Sequence, residues 1–341
     1  MKYTFVNKYL LFPIYFTLKI RHFLFDKGIL KTKNFDIPII SIGNITIGGT
    51  GKTPHTEFLI KELMPKHKIA VLSRGYGRKS KGFRIVNTGD DVSDVGDEPL
   101  QMKRKFENIT VAVCEKRVEG VEALLALPQE ELPTAILLDD AFQHRWICPS
   151  TNIVLVDSER PLEKEYLFPF GKLRDLPGQI KRADIIIVTK CPEEVSDEDK
   201  FEWEKRLKIS PEQKLLFSTI TYGEPKNIFE GADRRYIYSK FAILITAIAN
   251  PKPLVYNLSN TYKILDKLQF RDHHSFTSHE ISIINRWAKK WPKAVIYTTE
   301  KDAQRLLTKD KLSKNVKERL FYIPIEVSFI NQNGDSDLKF L

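Results

Sequence analysis

A chain of 341 residues exceeds what one hydrophobic core ordinarily serves, which excludes a lone small module and predicts two packed units. Its 42% hydrophobic and 29% charged residues supply real cores and exclude wholesale disorder, while three widely spaced cysteines, Cys114, Cys148 and Cys191, argue against a disulfide framework or zinc knuckle and for a reducing compartment. The net charge of +10 asks for an anionic partner: nucleic acid, phosphate or an acidic membrane.

The excess is concentrated at the start of the chain. Residues 1–33 hold Lys2, Lys8, Lys19, Arg21, Lys27, Lys31 and Lys33 against Asp26 alone, a surplus of six. Between Lys8 and Lys19 runs YLLFPIYFTL, followed by a mixed stretch with Ile20, Phe23, Leu24 and Phe25. A spanning helix needs about 20 apolar residues, so this segment is too short to cross a bilayer, and no small-x-small cleavage site marks it as a secretory signal. An apolar, aromatic and basic helix suits the headgroup layer of an anionic membrane. The alternative is a helix docked on the domain core. Nucleic acid is not the expected partner, because the basic residues are mixed with apolar ones rather than spread as a polar patch.

Beyond residue 33, short apolar runs alternate with polar, helix-like segments, the pattern of a mostly parallel α/β sheet. Candidate strands are 37–42, 69–72, 109–113, 135–138, 153–156, 185–188, 215–218, 242–246, 294–297 and 320–323. The stretch 157–182 is rich in Pro, Gly and charge, so the domain change is placed at or just before it. The expected organisation is a membrane-associating segment over 1–33, a P-loop domain over 34–155 and a smaller α/β domain over 156–341 that closes over the site.

After the first strand comes GNITIGGTGKTPHTEFLI, in which Gly48, Gly49, Thr50 and Gly51 precede Lys52 and Thr53 at the start of a helix. This is a P-loop in its proper context. Glycines let successive N–H groups turn toward phosphate oxygens, Lys52 reaches the β- and γ-phosphates, and Thr53 offers its hydroxyl to Mg²⁺. The motif's first glycine is replaced by Thr46.

The run 135–138 ends in Asp139 and Asp140, where a carboxylate at a strand tip beside a P-loop strand holds Mg²⁺ directly or through water; the alternative is a pair of loop caps. Neighbours on a strand tip point to opposite sides, so one aspartate serves the metal and the other supports the loop. Between these motifs, Arg74, Arg78, Lys79, Lys81 and Arg84 surround glycines, either as a phosphate clamp or as a solvated face. Asp97 and Glu98 supply adjacent carboxylates before Pro99. Far downstream, Asp272, His273 and His274 suggest a histidine tuned by a carboxylate more than a metal site, against the alternative of a surface loop.

In order, SIGNITIGGTGKTP, SRGYGRK, GDEP, KRVEG, DDAFQHR, LRD, TAIANP, FRDHH and TTEKDA resemble the tetraacyldisaccharide 4′-kinases, the lipid A 4′-kinases of Gram-negative envelope synthesis, from about residue 10 to 307. The resemblance implies a P-loop kinase with ATP and Mg²⁺ as cofactors. It would phosphorylate the 4′-hydroxyl of an acylated disaccharide 1-phosphate lipid to give lipid IVA, working as a peripheral protein on the anionic cytoplasmic face of the bacterial inner membrane. No nucleic acid and no obligate protein partner is expected. It further implies Asp97 as general base assisted by His273, with Lys52 on the phosphates and Thr53, Glu98 and Asp139 or Asp140 around Mg²⁺. Asn44, Arg74, Tyr76, Arg117, Gln143, His144 and Arg174 match positions around substrate or phosphate. Three residues depart from the family pattern: Ala141 replaces a glycine, Asp175 a glutamate and Leu176 a proline.

Two rival readings are available. GGTGKT also resembles the deviant P-loop of membrane-positioned ATPase switches, but those carry a lysine where this chain has Ile47. A nucleotide-binding module without chemistry would leave Asp97 and His273 without a role.

Overall fold

A computed structural model describes residues 6–272 and 274–330. In chain order the larger unit runs α1 (Phe12–Asp26), β1 (Ile39–Asn44), α2 (Lys52–Leu63), β2 (Ile69–Ser73), β3 (Arg84–Ile85), α3 (Val92–Val95), α4 (Asp97–Lys105), β4 (Thr110–Val113), α5 (Arg117–Leu125), β5 (Ala135–Asp139), β6 (Thr151–Asp157), β7 (Ile185–Thr189), α6 (Asp197–Leu207) and β8 (Lys214–Tyr222). The smaller unit holds β9 (Lys226–Asn227), β10 (Phe241–Thr246), α7 (Lys252–Ser259), β11 (Lys263–Gln269), α8 (Ser278–Lys290), β12 (Val295–Thr299), α9 (Glu300–Leu307), α10 (Lys314–Lys317) and β13 (Leu320–Ile323), after which β14 (Ile325–Phe329) returns to the first.

The first sheet has nine strands in the order β14-β8-β7-β6-β1-β5-β2-β4-β3, parallel in its interior and antiparallel at both edges. The second has five, β11-β10-β12-β13-β9, with only β9 antiparallel. Interior strands such as β1, β2 and β5 are buried at every position, because helices cover both faces and the sequence reads as continuous Ile, Val, Leu and Ala. One face packs under α2 and α4, and the other packs under α5. Two further clusters fill the faces of the second sheet. All ten expected strands are present.

The first sheet extends to Tyr222, well past the expected break at residue 155. The reason is that the apolar runs of β7 and β8 pair in parallel with β6 and with each other, so they extend the first core instead of starting a second. The Pro- and Gly-rich stretch 157–182 is therefore a long crossover within the larger unit and not a linker between units. The chain leaves for the second sheet at Gly223 and comes back at Pro324, where Gly223 N donates to Pro324 O at 2.9 Å. The two crossings lie side by side.

Helix α1 is both docked and apolar on its free face. Leu11, Ile14, Tyr15 and Leu18 pack into the cluster around Leu162, Leu167, Leu173 and Ile180, while Phe12, Phe16, Ile20 and Phe23 stay exposed. Membrane-facing and core-docked readings were alternatives in the sequence; the fold docks one face of the helix on the core and leaves the other apolar and exposed. Among the described residues no helix is long and apolar enough to cross a membrane. The three cysteines are free.

Candidate active site

The loop after β1 is fixed by close packing. Gly43 lies against Phe142, whose backbone nitrogen would be 2.8 Å from an added Cβ, so no larger residue fits. Gly48 and Gly51 take φ of +108° and +89°, whereas Thr46 makes an extended bridge to Leu173 and tolerates its side chain. The missing first glycine thus alters no strained position. Lys52 opens α2, so the helix N-terminus faces the loop. One turn later the His55 ring is buried, with Nδ1 donating to Gly51 O at 2.7 Å and Nε2 accepting from Ser218 Oγ at 2.9 Å. Burial pushes its pKa down to about 4, against the opposing pull of the Gly51 carbonyl. Thr189 Oγ1 donates to Thr50 O at 2.9 Å and pins the loop from β7.

The aspartate pair sits beside this loop because β5 pairs with β1, in a register that puts Asp139 opposite Ile42. Asp139 is buried and accepts from Thr56 Oγ1 and Ser73 Oγ, each at 3.2 Å. Burial, with Glu98 and Asp140 nearby, pushes its pKa up to about 6. Asp140 takes a left-handed φ of 48° and turns the other way, toward Lys52 Nζ at 3.8 Å and Arg174, whose Nη1 donates at 3.0 Å and whose Nη2 pairs with the second oxygen. Burial would raise this carboxyl, but Lys52 and Arg174 hold it below the usual carboxylate range. Ala141 keeps an ordinary φ, so its methyl group replaces the family's glycine without strain.

Asn44 ties the neighbouring loops together. Its Nδ2 donates to Thr50 Oγ1 at 2.7 Å, and its carbonyl accepts from Gln143 Nε2 at 2.8 Å and Arg174 Nη2 at 3.2 Å. Arg117 is buried, with Nη1 on Cys114 O at 2.9 Å and a longer contact to Asp139 O at 3.4 Å. Arg117 Nε, His144 Nε2 and Arg174 Nε are buried without a hydrogen-bond partner among the described residues. Three such groups beside one cavity are positions where a ligand could be bound. Burial, with Arg117, Arg21 and Arg74 nearby, also pushes His144 down to about 4, so its ring is neutral.

Asp97 begins α4 and is buried, with one oxygen accepting from Glu98 N at 3.0 Å. Its other oxygen pairs with Arg305 Nη2, and Lys301 Nζ lies 3.8 Å away. Lys301 also reaches Glu98 at 3.1 Å and Asp272 at 3.2 Å. Burial lowers the lysine's pKa, but Glu98 and Asp97 override this and bring it up to about 12. Both cations come from α9 of the smaller unit, so the two units meet at the Asp97 carboxylate. Lys301 and Arg305 were not singled out in the sequence, although TTEKDA covers Lys301 and their four-residue spacing puts them on one helix face. His273 lies outside the described residues. His274 pairs with Glu280 at 2.9 Å and stacks on Phe270, a structural role in the smaller unit.

These groups share one cavity of about 1540 Å³ that draws its lining from both units, including Lys52, Thr53, Arg74, Tyr76, Asp97, Glu98, Arg117, Asp139, Asp140, Gln143, His144, Arg174 and Lys301. Arg74 and Tyr76 stand exposed on it. Two others of the basic stretch serve local structure: Arg78 holds Glu115 and the Gly82 carbonyl, and Arg84 pairs with Asp90 at 2.6 Å. The docked side of α1 braces the same loops. Arg21 donates to Gln143 O at 2.6 Å, Arg145 pairs with Asp26 at 2.7 Å, and His22 Nε2 meets the fully buried Asp175 at 2.6 Å.

The tetraacyldisaccharide-1-P 4′-kinase family model matches residues 10–339. The chain is 42% identical over 322 residues to the tetraacyldisaccharide 4′-kinase of Phocaeicola vulgatus, covering 93% of this chain and 88% of the relative. It is 41% identical over 318 residues to that of Porphyromonas gingivalis, covering 92% and 89%. The crystal structure of LpxK from Aquifex aeolicus in complex with ATP superposes with a TM-score of 0.71 at 26% identity, covering 94% of this chain and 93% of that one. On this match in sequence and fold, the chain belongs to the tetraacyldisaccharide-1-P 4′-kinase family.

Proposed function

We propose that the chain transfers the γ-phosphate of ATP to the 4′-hydroxyl of a tetraacyldisaccharide 1-phosphate lipid, with Asp97 as the base. The observation that carries this reading is that Lys52 and the Asp139–Asp140 pair share one cavity with Asp97. Phosphoryl transfer asks for positioning and charge stabilisation more than covalent chemistry. The amides of Gly48, Gly49 and Gly51 and the Lys52 ammonium hold the phosphates, while the Thr50 amide donates to Gly48 O at 2.9 Å within the loop. Arg117 and Arg174, each with an unpartnered Nε, supply positive charge beside Asn44, Gln143 and His144, and Arg74 and Tyr76 meet the substrate at the exposed wall. The hydroxyl proton passes to the Asp97 carboxylate as its oxygen attacks the γ-phosphorus and ADP departs. Arg305 and Lys301 hold that carboxylate in place, and His273 is its expected partner.

Mg²⁺ fits the donor set. Among the described residues no three acidic, His or Cys side chains form a ready-made cage, but a Mg²⁺ shared with phosphates needs only one or two protein carboxylates. Burial first, and then Glu98 and Asp140 nearby, disfavour the charged form of Asp139, and a cation bound there would offset both. Thr53, Glu98 and Asp139 would hold the ion, while Asp140 is engaged by Arg174 and Lys52. When bound, the ion neutralises charge developing on the β- and γ-oxygens. The exposed aromatic face of α1 and the basic N-terminal segment support a peripheral position on an anionic membrane, read as the cytoplasmic face of the bacterial inner membrane.

Mass spectrometry of the lipid after incubation with ATP tests the reading: the acceptor should gain one phosphate, and Lys52→Ala should abolish the gain in a folded protein. ADP release without phosphorylated lipid would favour the ATPase switch, and no ADP at all a binding module.

A further inference from the structure

We infer that the turn 167–173 is a second membrane contact, in which Phe168 and Phe170 enter the headgroup region of an anionic bilayer beside α1. The inference rests on the reading that α1 meets the membrane and adds a second, separate element to it.

The turn is built to present these rings outward. Leu167 and Leu173 are buried in the core, yet Phe168 is 56% and Phe170 74% exposed. The larger and more hydrophobic rings are the ones left out. The backbone leaves no freedom to reverse this: Phe168 N donates to Leu173 O at 2.7 Å, Leu173 N to Tyr166 O at 2.9 Å, and Phe170 N to Leu167 O at 3.1 Å. Gly171 is pressed so closely on Tyr166 that an added Cβ would lie 2.6 Å from the tyrosine Cβ. The exposed aromatics therefore sit on a rigid tip, not on a loop that could fold them in.

Position and charge identify the occupant. Leu162, Leu167 and Leu173 belong to the same cluster as Leu11, against which Ile14, Tyr15 and Leu18 of α1 pack, so the turn and the helix are neighbours. The free face of α1 carries Phe12 and Phe16, stacked with centroids 5.2 Å apart, together with Ile20 and Phe23. Lys172 lies within the turn and is exposed, Lys164 before it stands between Glu163 and Glu165, and Lys19 and Lys27 are exposed on or just after the helix. Exposed aromatic rings with Lys172 in the turn and Lys19 and Lys27 on the neighbouring helix suit an anionic bilayer better than a second copy of a basic chain. The turn is also joined to the catalytic loop: Ile47 N donates to Lys172 O at 2.6 Å, Thr46 bridges Leu173, and Arg174 follows directly. A bilayer held at the turn would thus stand beside the phosphate loop, where an acylated acceptor has to arrive.

The test is flotation of the full chain with vesicles of phosphatidylethanolamine and phosphatidylglycerol. The Phe168→Ser/Phe170→Ser variant should bind at least about tenfold more weakly than the parent with an unchanged melting temperature, since two aromatic contacts are lost. Its KM for acceptor in those vesicles should rise while kcat on detergent-dispersed acceptor stays the same. Equal vesicle binding would overturn the inference and leave the α1 reading standing, whereas a parent that does not bind at all would overturn both. Equal vesicle binding with lost self-association in sedimentation would assign the surface to a second copy instead. Should the double variant fail to fold, Phe170→Trp with brominated lipids decides: quenching beyond that of the parent's own tryptophans supports the contact, and none in a vesicle-bound protein refutes it.

Discussion

Asp175 offers the sharpest perturbation, because this chain holds an aspartate where the family pattern has a glutamate, and the surroundings are closed around the shorter side chain. The residue is 0% exposed, with Oδ1 2.6 Å from His22 Nε2 and 2.8 Å from the Leu176 amide, and Oδ2 3.8 Å from Arg182. Arg145 Nη1 donates to His22 Nδ1 at 3.2 Å, which leaves the ring proton on Nε2 for Asp175. Asp175→Glu adds a methylene to a filled site and should cost about 1–3 kcal/mol by overpacking, although it restores the family residue. Asp175→Ala strands the buried His22 and should cost about 3–5 kcal/mol. Asp175→Asn keeps the shape and replaces a charged hydrogen bond with a neutral one, a loss of about 1 kcal/mol. For a unit of this size about 2–4 °C of melting temperature corresponds to each kcal/mol, so the three variants should separate in one thermal series. The clasp also joins α1 to Arg174, so proteolytic release of the N-terminal segment should quicken in the same order. An Asp175→Glu protein as stable as the parent would refute the claim that the site is closed, and a His22→Ala/Asp175→Ala double variant with additive losses would refute the pairing.

Lys105 is half-buried between the buried Glu57 at 2.6 Å and Glu300 at 2.9 Å, one carboxylate from each unit. Lys105→Met should cost about 3–5 kcal/mol and make stability fall more steeply with rising pH, and an unchanged urea midpoint would refute the bridge. The depressed pKa of His55 means that the unfolded state binds more protons between pH 6.5 and about 4, so its contribution is complete above 6.5 and is lost as pH falls toward 4. His55→Gln should flatten that acid slope by up to about 3 kcal/mol, which urea titrations at stepped pH would detect. On α1, Phe12→Ser/Phe16→Ser/Phe23→Ser should release the protein from anionic vesicles at unchanged melting temperature. Deleting residues 1–25, by contrast, removes the buried Leu11, His22 and Phe25 and should lower the melting temperature sharply, as thermal scans of both variants would show. Asp97→Ala and His273→Ala should each lower kcat by about 10²- to 10⁴-fold with little effect on ATP binding. The double variant should fall little below the worse single one in steady-state kinetics, since groups acting as one unit lose their effect once.

Most strands were legible because an interior parallel strand must be apolar on both sides, and ten uninterrupted runs stand out against polar helices. What escaped was edge structure. β3 and β9 are two residues each, too short to show a period, and β11 and β14 alternate between half-buried and exposed positions along sheet margins. The displaced boundary has the same origin. Proline, glycine and charge in 157–182 signal irregular chain, but whether such chain separates cores or crosses one depends on where the next apolar run pairs. That is decided by β6 and β7, residues distant in sequence and adjacent only in the sheet.

The phosphate loop and the strand-tip aspartates were legible because their chemistry is local: a glycine turn, a helix start and a carboxylate within a few residues of one another. Which of Asp139 and Asp140 turns toward Lys52 was not, since that follows from the left-handed φ of Asp140 and from Arg174, 34 positions away. Lys301 and Arg305 were silent for a stronger reason. Two cations one turn apart on a helix are commonplace, and they acquire meaning only when a smaller unit, inserted between β8 and β14, sets that helix against Asp97. On the proposed reading, the base is held by cations from the other unit and is aimed only while the units are together. Arg305→Ala should therefore lower kcat and leave ATP binding by the first unit unchanged.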